Sequence, residues 1–384
     1  MWFGACTSQA GTQMQTAAQA WLVLQLANDP FWLGVDTFMA GIPIVLFALL
    51  AGVVADRRDR RTILLTSQYT QMTCAFLMAI LYVTGVIQVW QILILSFVVG
   101  TGQAFGGPSY SALIPTLVPR EHLPNAIALN SIQFNLARVV GPTLAGLALA
   151  ISPAWCFTLN GISFLAVIAT LYIISVSFIP QRSSEPIMDS MKQGFRFILA
   201  QPGMKPLIVL AFFVTLLGFQ IMAFMPVFAR DVFGGGTTTF TTMLSCSGAG
   251  AVTGGLLVAA LGRKRNLGRT ALIALAVLGA FTTGFALSPN VWVACGMLFF
   301  CGIALMAVFS MLTSLVQLIT PDDMRGRVMS VYNLALRGGA PIGSPIFGVL
   351  IPIYSAPVMI AIAGILMLCL AAYFLLVNRR VAAL

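Results

Sequence analysis

The stretch GVVADRRDRRTILL, from Gly52 to Leu65, places two aspartates and four arginines within six consecutive residues, with a long apolar run on each side. A helix needs about 20 mostly apolar residues to cross a bilayer, and both flanking runs have that length. A short charged segment between two such runs is typical of a water-facing loop that joins two membrane helices. The stretch therefore predicts a helical membrane protein.

The composition of the chain supports the same prediction. The 384 residues are 59% hydrophobic and only 8% charged, with a mean hydropathy of +0.97, whereas a soluble domain carries about 25% charged residues. The 20 Lys and Arg residues outnumber the 10 acidic ones. In a soluble protein this excess would suggest a nucleic-acid partner, but here it fits the Lys and Arg bias of cytoplasmic loops. We expect membrane lipids as partners and no nucleic acid.

Twelve apolar runs are long enough to span a bilayer. We therefore predict an all-α membrane protein with two six-helix bundles, residues 1–179 and 204–384, joined by a polar cytoplasmic linker over 180–203. Within that linker, MDSMKQGFRFIL has the pattern of an amphipathic interfacial helix. The predicted spans are 3–27, 31–55, 62–85, 88–116, 126–150, 154–179, 204–229, 238–262, 270–287, 290–319, 327–351 and 355–377.

The positions of the basic residues predict the orientation. With the N-terminus in the cytoplasm, nearly all Lys and Arg residues fall in cytoplasmic loops, and Arg230 alone falls in a loop on the opposite side. This predicts a multi-pass membrane protein with both termini cytoplasmic. No signal peptide is visible, and the arm before the first span is expected to be short or missing.

The two halves repeat each other at an offset of 202 residues. LVPREHLPNAIALNSIQFNLARVVGPTLAG (117–146) aligns with ITPDDMRGRVMSVYNLALRGGAPIGSPIFG (319–348), so that Gly141 meets Gly343 and Gly146 meets Gly348. Both copies have the same orientation, which makes the repeat parallel. Parallel repeats of this kind occur in secondary transporters, where substrates bind near the midplane between the repeats.

The opening stretch resembles a transporter signature. Its pattern G-x-x-x-D-R-x-x-R-R, between the second and third spans, resembles motif A of the major facilitator superfamily. GTGQAFGGPSYSALIPTLVPREHLPNAIALN, ARVVGPTLAG and GTQMQTAAQAWLVLQL resemble the subfamily that contains the enterobactin exporter and macrolide-efflux proteins. The resemblance covers essentially the whole chain apart from the N-terminal arm. It implies a secondary transporter with the major facilitator fold in the inner (cytoplasmic) membrane of a bacterium.

The resemblance implies a gating role for the motif A residues Gly52, Asp56, Arg57, Arg60 and Arg61. In the family the motif A aspartate is thought to lock the outward-facing state. Asp56 would then face the N-terminus of the eleventh span, where free N–H groups and the helix dipole attract an anion. The arginines would pair with Asp56 and Asp59 or with anionic lipid headgroups. A charged topology anchor without a moving part is the alternative.

Asp36 is the only acidic residue well inside a predicted span. An ionisable residue within a membrane helix is costly and is by default a candidate functional group. It could load and release a proton during transport, or contact a cationic substrate. The alternative places it in water at the outer rim of the second span.

Polar residues inside other spans indicate where a substrate cavity would lie. Arg138 and Arg337 sit near the middles of the fifth and eleventh spans, where exposure to lipid is very costly. They would make the cavity basic and favour anionic substrates, although a packing or gating role for Arg138 is an equal alternative. The first span carries Gln9, Gln13 and Thr16 on one helical face, which would line a watered cavity or bond to other helices.

Gly141, Pro142 and Gly146 resemble motif C, which is associated with antiporters in this superfamily. Proline bends a helix and the glycines permit close helix approach. Tight packing is the alternative explanation, but the pattern favours export over uptake.

The chain is predicted to be a transporter and not an enzyme. It has one histidine and no Walker A sequence, and its seven cysteines show no metal-binding spacing, so we expect no cofactor and no metal. The predicted function is export of a small organic molecule, a drug, siderophore or metabolite, in exchange for protons. An importer or facilitator of the same fold, and a membrane sensor or assembly partner that moves nothing, are the alternatives.

Overall fold

The computed structural model describes residues 2–173, 187–261, 266–321, 324–378 and 381–382, and in these ranges the regular structure is entirely helical. The chain divides into two compact units, Met1–Ser184 and Glu185–Leu384. The helices of the first unit are α1 (Trp2–Ala27), α2 (Phe31–Arg57), α3 (Arg60–Val83), α4 (Val89–Leu117), α5 (Leu123–Leu149) and α6 (Pro153–Ile173).

The second unit begins with a short helix and continues with longer ones. Its helices are α7 (Ile187–Ala200), α8 (Met204–Gly218), α9 (Gln220–Ala223), α10 (Met225–Val227), α11 (Thr237–Leu261), α12 (Leu267–Ala286), α13 (Val291–Ile319), α14 (Arg325–Tyr354) and α15 (Ala356–Ala372). Two π-helical turns, Phe228–Val232 and Tyr373–Val377, extend α10 and α15. The apolar segment Met204–Val232 is thus one run of 29 residues made of several short helical pieces.

Among the described residues, 11 helical segments are long and apolar enough to cross a membrane. This confirms the predicted all-α membrane class. The helix α1 has 26 residues but is not among the 11, because its glutamines and threonines lower its hydropathy. Most predicted boundaries agree with the helices within a few residues. One difference is that Asp56 and Arg57 lie in the last turn of α2, which leaves only Arg58 and Asp59 between α2 and α3.

That tight connection is possible because Asp59 caps α3. Its carboxylate accepts hydrogen bonds from the backbone N–H groups of Arg61 and Thr62, both at 3.2 Å, and from the Thr62 hydroxyl at 2.8 Å. A side-chain oxygen at this position satisfies N–H groups that have no partner within the helix. The aspartate is therefore placed by helix capping as well as by the polarity of the loop.

Within each unit the helices pack in a small number of close pairs. In the first unit α1 packs on α5 and α6, α2 on α4, and α3 on α4 and α6. In the second unit α8 packs on α14 and α15, α11 on α13, and α12 on α13 and α15. Gly100 brings α4 against the Ala40 carbonyl of α2, and Gly302 brings α13 against the Ser247 carbonyl of α11. A side chain at either glycine would collide with the neighbouring backbone, so small residues set the closest helix approaches.

Candidate functional site

A buried carboxyl group lies inside the first unit where α1, α2 and α4 meet. Asp36 of α2 is 8% exposed. The Gln19 amide of α1 donates to both carboxylate oxygens, at 2.8 and 2.9 Å. The Ser96 hydroxyl of α4 donates to Oδ1 at 2.5 Å and accepts from the Gln19 amide at 2.8 Å. Asp36 is therefore placed in the interior of the unit and not in water at its rim.

The direction of these hydrogen bonds follows from the chemistry of the carboxylate. An ionised carboxylate only accepts hydrogen bonds, so the groups that face it are the amide N–H of Gln19 and the hydroxyl of Ser96. Among the described residues, no group of three His, Cys, Asp or Glu side chains is placed to hold a metal ion. The Asp36 carboxylate is therefore held by donors from two other helices, α1 and α4.

The polar side chains of α1 divide into an inner and an open face. Gln15 and Gln19, four residues apart, bond to Asn160, Asp36 and Ser96 inside the first unit. Gln9 and Gln13 are half-buried, as Gln19 is, and Thr16 is exposed. The amides of Gln9 and Gln13 make no hydrogen bond with another described residue. The predicted cavity face of α1 is therefore a distinct face with unused hydrogen-bonding capacity.

Sequence reasoning missed a second buried polar cluster, between α1 and α6. The Asn160 amide of α6 donates to the Gln15 side-chain oxygen at 2.7 Å, and the Ser163 hydroxyl donates to the Asn160 backbone carbonyl at 2.7 Å. All three side chains are buried. The signal that could have found it is Asn160, the one amide residue in the largely apolar α6. The cluster fixes α1 to α6, since breaking it would leave buried polar groups unsatisfied.

The motif C residues lie where α5 meets α1. Gly141 and Pro142 are buried and Gly146 is half-buried. A Cβ at position 141 would collide with the Cβ of Gln13 and would come within 3.0 Å of the Ala10 carbonyl oxygen. The glycine of motif C therefore packs beside Gln13, on the open polar face of α1.

The two arginines inside the membrane segments share a feature that the sequence reasoning overlooked. Arg138 is half-buried in α5 and Arg337 is exposed on α14, and each precedes a proline by four residues, Pro142 and Pro341. In a helix the residue four positions later normally donates its N–H to the carbonyl. Proline has no N–H, so each arginine carries a carbonyl group that lacks its usual helical donor.

Arg60 and Arg61 of motif A bond to the backbone of neighbouring helices. Arg60 donates to the Ala112 carbonyl of α4 at 3.1 Å. Arg61 donates to the Leu171 and Tyr172 carbonyls of α6, at 2.7 and 3.1 Å. Both α4 and α6 pack on α3, the helix that begins at Arg60. Arg61 thus binds backbone carbonyls instead of the expected carboxylate, and Asp59 is engaged in capping α3.

The structure describes fewer contacts for the remaining motif A residues, Gly52, Asp56 and Arg57. A Cβ at Gly52 would meet no neighbouring atom, so packing does not require a glycine there. Asp56 and Arg57 belong to the last turn of α2, and their side chains lie outside the described residues.

An apolar cleft of about 720 Å³ lies in the first unit between α1, α5 and α6. Its walls include Met14, Val140, Leu144, Trp155 and Leu159. None of the predicted substrate-cavity residues lines it, and the Asp36 cluster is also separate from it.

The fold and the polar interior of the first unit define a membrane transporter. The chain belongs to the transmembrane secretion effector family of the major facilitator superfamily, whose family model matches residues 1–383. This confirms the resemblance drawn from the motifs. It also confirms the class, because the family and its relatives are transporters and not enzymes.

The chain is similar in sequence to characterised transporters of bacteria. It is 25% identical to the staphyloferrin A transporter of Staphylococcus aureus, over 94% of this chain and 91% of that protein. It is 23% identical to macrolide efflux protein A of Streptococcus pyogenes, over 99% of this chain and 95% of that protein. It is 25% identical to the enterobactin exporter EntS of Salmonella typhimurium, over 90% of this chain and 85% of that protein.

Solved structures show the same fold at lower identity. A bacterial homologue of the human lysosomal transporter Spinster, in an inward-facing and unoccupied conformation, matches with a TM-score of 0.76 and 16% identity, over 99% of this chain and 95% of that one. The nucleoside transporter NupG matches with a TM-score of 0.71 and 13% identity, over 97% and 98%. These likenesses establish the fold alone.

Proposed function

We propose that this transporter exports a small organic molecule in exchange for protons, with Asp36 as the group that carries the proton. The observation that carries the proposal is the buried Asp36 carboxyl, held between three helices by Gln19 and Ser96. Among the described residues it is the one buried acidic side chain. An ionisable group that is buried in a membrane protein and satisfied by specific partners is expected to serve function.

The partners of Asp36 provide a way to couple the proton to helix movement. When Asp36 is protonated, its own hydroxyl must donate, and the Ser96 hydroxyl can rotate to accept. The Gln19 amide then donates to a neutral carboxyl group, which is a weaker acceptor than an ionised carboxylate, so protonation weakens the attachment of α1 to α2. Since α1 also carries Gln9, Gln13 and Thr16, a proton bound to Asp36 beside the inner face of α1 would change the position of the open face that is proposed to meet substrate.

The proposed topology has twelve spans, with α1 as the first, and two six-helix bundles related by the parallel repeat. The support is that the close helix pairs of the two units correspond one to one when α1 is matched with α8. The distribution of Lys and Arg supports an orientation with both termini in the cytoplasm. Impermeant thiol reagents test this orientation. Cysteines introduced by Arg60→Cys and Lys264→Cys should react only from the cytoplasmic side, and reaction from the periplasm would contradict it.

The polar and basic side chains proposed to line the cavity favour an anionic or polar substrate. Gln9, Gln13 and Thr16 offer hydrogen bonds, and Arg138 and Arg337 offer positive charge for a substrate carboxylate or phenolate. Two of the relatives are named for siderophores, staphyloferrin A and enterobactin, and a third for macrolides. Motif C at Gly141, Pro142 and Gly146 resembles that of antiporters, and a motif A latch between Asp56 and the N-terminus of α14 stays a prediction.

Transport in everted membrane vesicles tests the direction. Vesicles from cells that produce the protein are energised so that their lumen becomes acidic, and radiolabelled siderophores and macrolides are offered outside. A proton-driven exporter accumulates its substrate in the lumen, and collapse of the pH gradient with nigericin abolishes the accumulation. Loss of preloaded substrate on acidification of the lumen would identify an importer. The proposal would be contradicted if none of the compounds that the producing cells tolerate or secrete showed a flux that depends on the pH gradient.

A further inference from the structure

The helix α7 has three different faces, although it is only 14 residues long. Gly194 and Ile198, four residues apart, are buried against the second unit. Phe195 and Leu199, also four residues apart, are each 55% exposed. Residues four apart lie on one face of a helix, so α7 presents one packed face and one exposed apolar face.

The third face of α7 is basic. Lys192 and Arg196 are exposed and again four residues apart, next to the exposed apolar face. Two further exposed cations, Lys205 and Arg325, lie in the first turns of α8 and α14, the two helices that α7 contacts. The acidic side chain of Asp189, in the first turn of α7, lies outside the described residues. A basic stripe beside large apolar side chains is the pattern of a helix that lies in a membrane interface.

The chain holds α7 close to the bilayer. Only residues 201–203 separate Ala200 from Met204, where the apolar segment Met204–Val232 begins. Three residues span at most about 11 Å, so the C-terminal end of α7 cannot move far from the membrane surface. Phe195 and Leu199 are therefore within reach of the acyl boundary, while the cations are at the level of the lipid headgroups.

Close contact with α14 fixes the packed face of α7. A Cβ at Gly194 would come within 2.8 Å of the Arg327 carbonyl oxygen and 3.3 Å of the Arg327 Cβ. Arg327 belongs to the first turn of α14. A ligand bound to the exposed faces of α7 would therefore also affect the position of the first turn of α14.

We propose that α7 is a docking surface for anionic phospholipid headgroups, with Phe195 and Leu199 inserted into the acyl boundary and Arg196 bound to phosphate. The charge selects an anionic membrane surface over a zwitterionic one, since each Lys or Arg near such a surface contributes about fivefold to binding, equivalent to about 1 kcal/mol. Through the contact between Gly194 and Arg327, the bound lipid holds the first turn of α14 in place.

A fluorescent probe on the full-length protein in vesicles tests the proposal. The dye NBD is attached to a Leu199→Cys variant in which the exposed Cys369 is replaced by serine, with a Phe195→Cys variant in reserve should the first not fold. The vesicles contain phosphatidylcholine, alone or mixed with phosphatidylglycerol, and brominated lipids report insertion by quenching. No substrate is needed, so the result is independent of the export proposal.

We expect stronger quenching in the vesicles that contain phosphatidylglycerol, and about a fivefold weaker dependence on that lipid after Arg196→Gln. Arg269→Gln, an exposed cation in the first turn of α12, should leave the quenching unchanged. Gly194→Ala should lower the quenching, whereas Gly326→Ala, where a Cβ meets no neighbouring atom, should not.

Three results would overturn the proposal. Equal quenching in both lipids with no effect of Arg196→Gln would mean apolar insertion without headgroup recognition. A probe shielded from brominated lipid and from aqueous iodide alike would mean that a protein covers α7. Displacement of the probe by soluble glycerol phosphate would mean a site for free phosphate and not for a membrane.

Discussion

Replacing Gly141 by alanine tests how tightly motif C packs on α1. A Cβ at this position would collide with the Cβ of Gln13 and would come within 3.0 Å of the Ala10 carbonyl oxygen and 3.2 Å of the Met14 nitrogen. Two of these three atoms belong to the backbone of α1, so they cannot rotate away. Overpacking of this kind costs about 1–3 kcal/mol.

Gly107→Ala in α4 is the matched control, because a Cβ there would meet no neighbouring atom. Both substitutions gain about 1 kcal/mol from the better helix propensity of alanine, and this gain cancels when the two variants are compared. We therefore expect Gly141→Ala to be less stable than Gly107→Ala by about 2 kcal/mol. For a domain of 150–250 residues this corresponds to about 4–8 °C in melting temperature.

A thermal scan with a thiol-reactive dye in detergent measures this difference, since buried cysteines such as Cys74 and Cys156 react only on unfolding. Both variants are compared with the unmodified protein at the same detergent and lipid content. Equal midpoints for Gly141→Ala and Gly107→Ala would refute the conclusion that motif C is a packing constraint between α1 and α5.

Three further substitutions test contacts that support the site. Asp59→Ala removes the cap of α3 and should lower the free energy of unfolding by about 1 kcal/mol. Asp59→Asn should retain most of the capping, so its midpoint in a thermal scan should lie above that of Asp59→Ala. Arg61→Gln removes the charged donor to the Leu171 and Tyr172 carbonyls and should destabilise by about 1–2 kcal/mol, with Arg61→Lys intermediate; an Arg61→Gln midpoint equal to that of the unmodified protein would contradict this. Gln15→Leu leaves the buried Asn160 amide without its acceptor and should cost about 1–3 kcal/mol. Adding Asn160→Leu should recover part of that loss, and strict additivity in the double-mutant cycle would show that the pair does not interact.

Much of the fold follows from local properties of the chain. Apolar run length alone predicts most helices, because each segment must satisfy its own backbone hydrogen bonds in lipid. A threshold on mean hydropathy, unlike run length, leaves out α1, because its glutamines lower the hydropathy although two of them are satisfied inside the first unit. The boundary at Arg57 was missed because the cap at Asp59 permits a shorter turn than the charge pattern indicated.

The candidate site was predictable in part. Asp36 stands out in the sequence because a carboxyl within a membrane span is rare, but Gln19 and Ser96, its partners, lie 17 and 60 residues away. The carbonyl groups that Arg61 binds lie 110 and 111 residues away. Such pairs depend on which helices pack together, and no periodicity within one helix encodes that choice.

The substitution Asp36→Asn tests whether the Asp36 carboxyl carries the exchanged proton. Asparagine has nearly the same shape and can still bond to Gln19 and Ser96, but it cannot bind and release a proton. Purified protein is reconstituted in vesicles with a pH-sensitive dye inside, and substrate and proton fluxes are recorded together. We expect the unmodified protein to move protons against substrate, and Asp36→Asn to exchange labelled for unlabelled substrate without responding to a pH gradient. Proton-coupled flux of Asp36→Asn at the rate of the unmodified protein would contradict a proton-carrying role for Asp36.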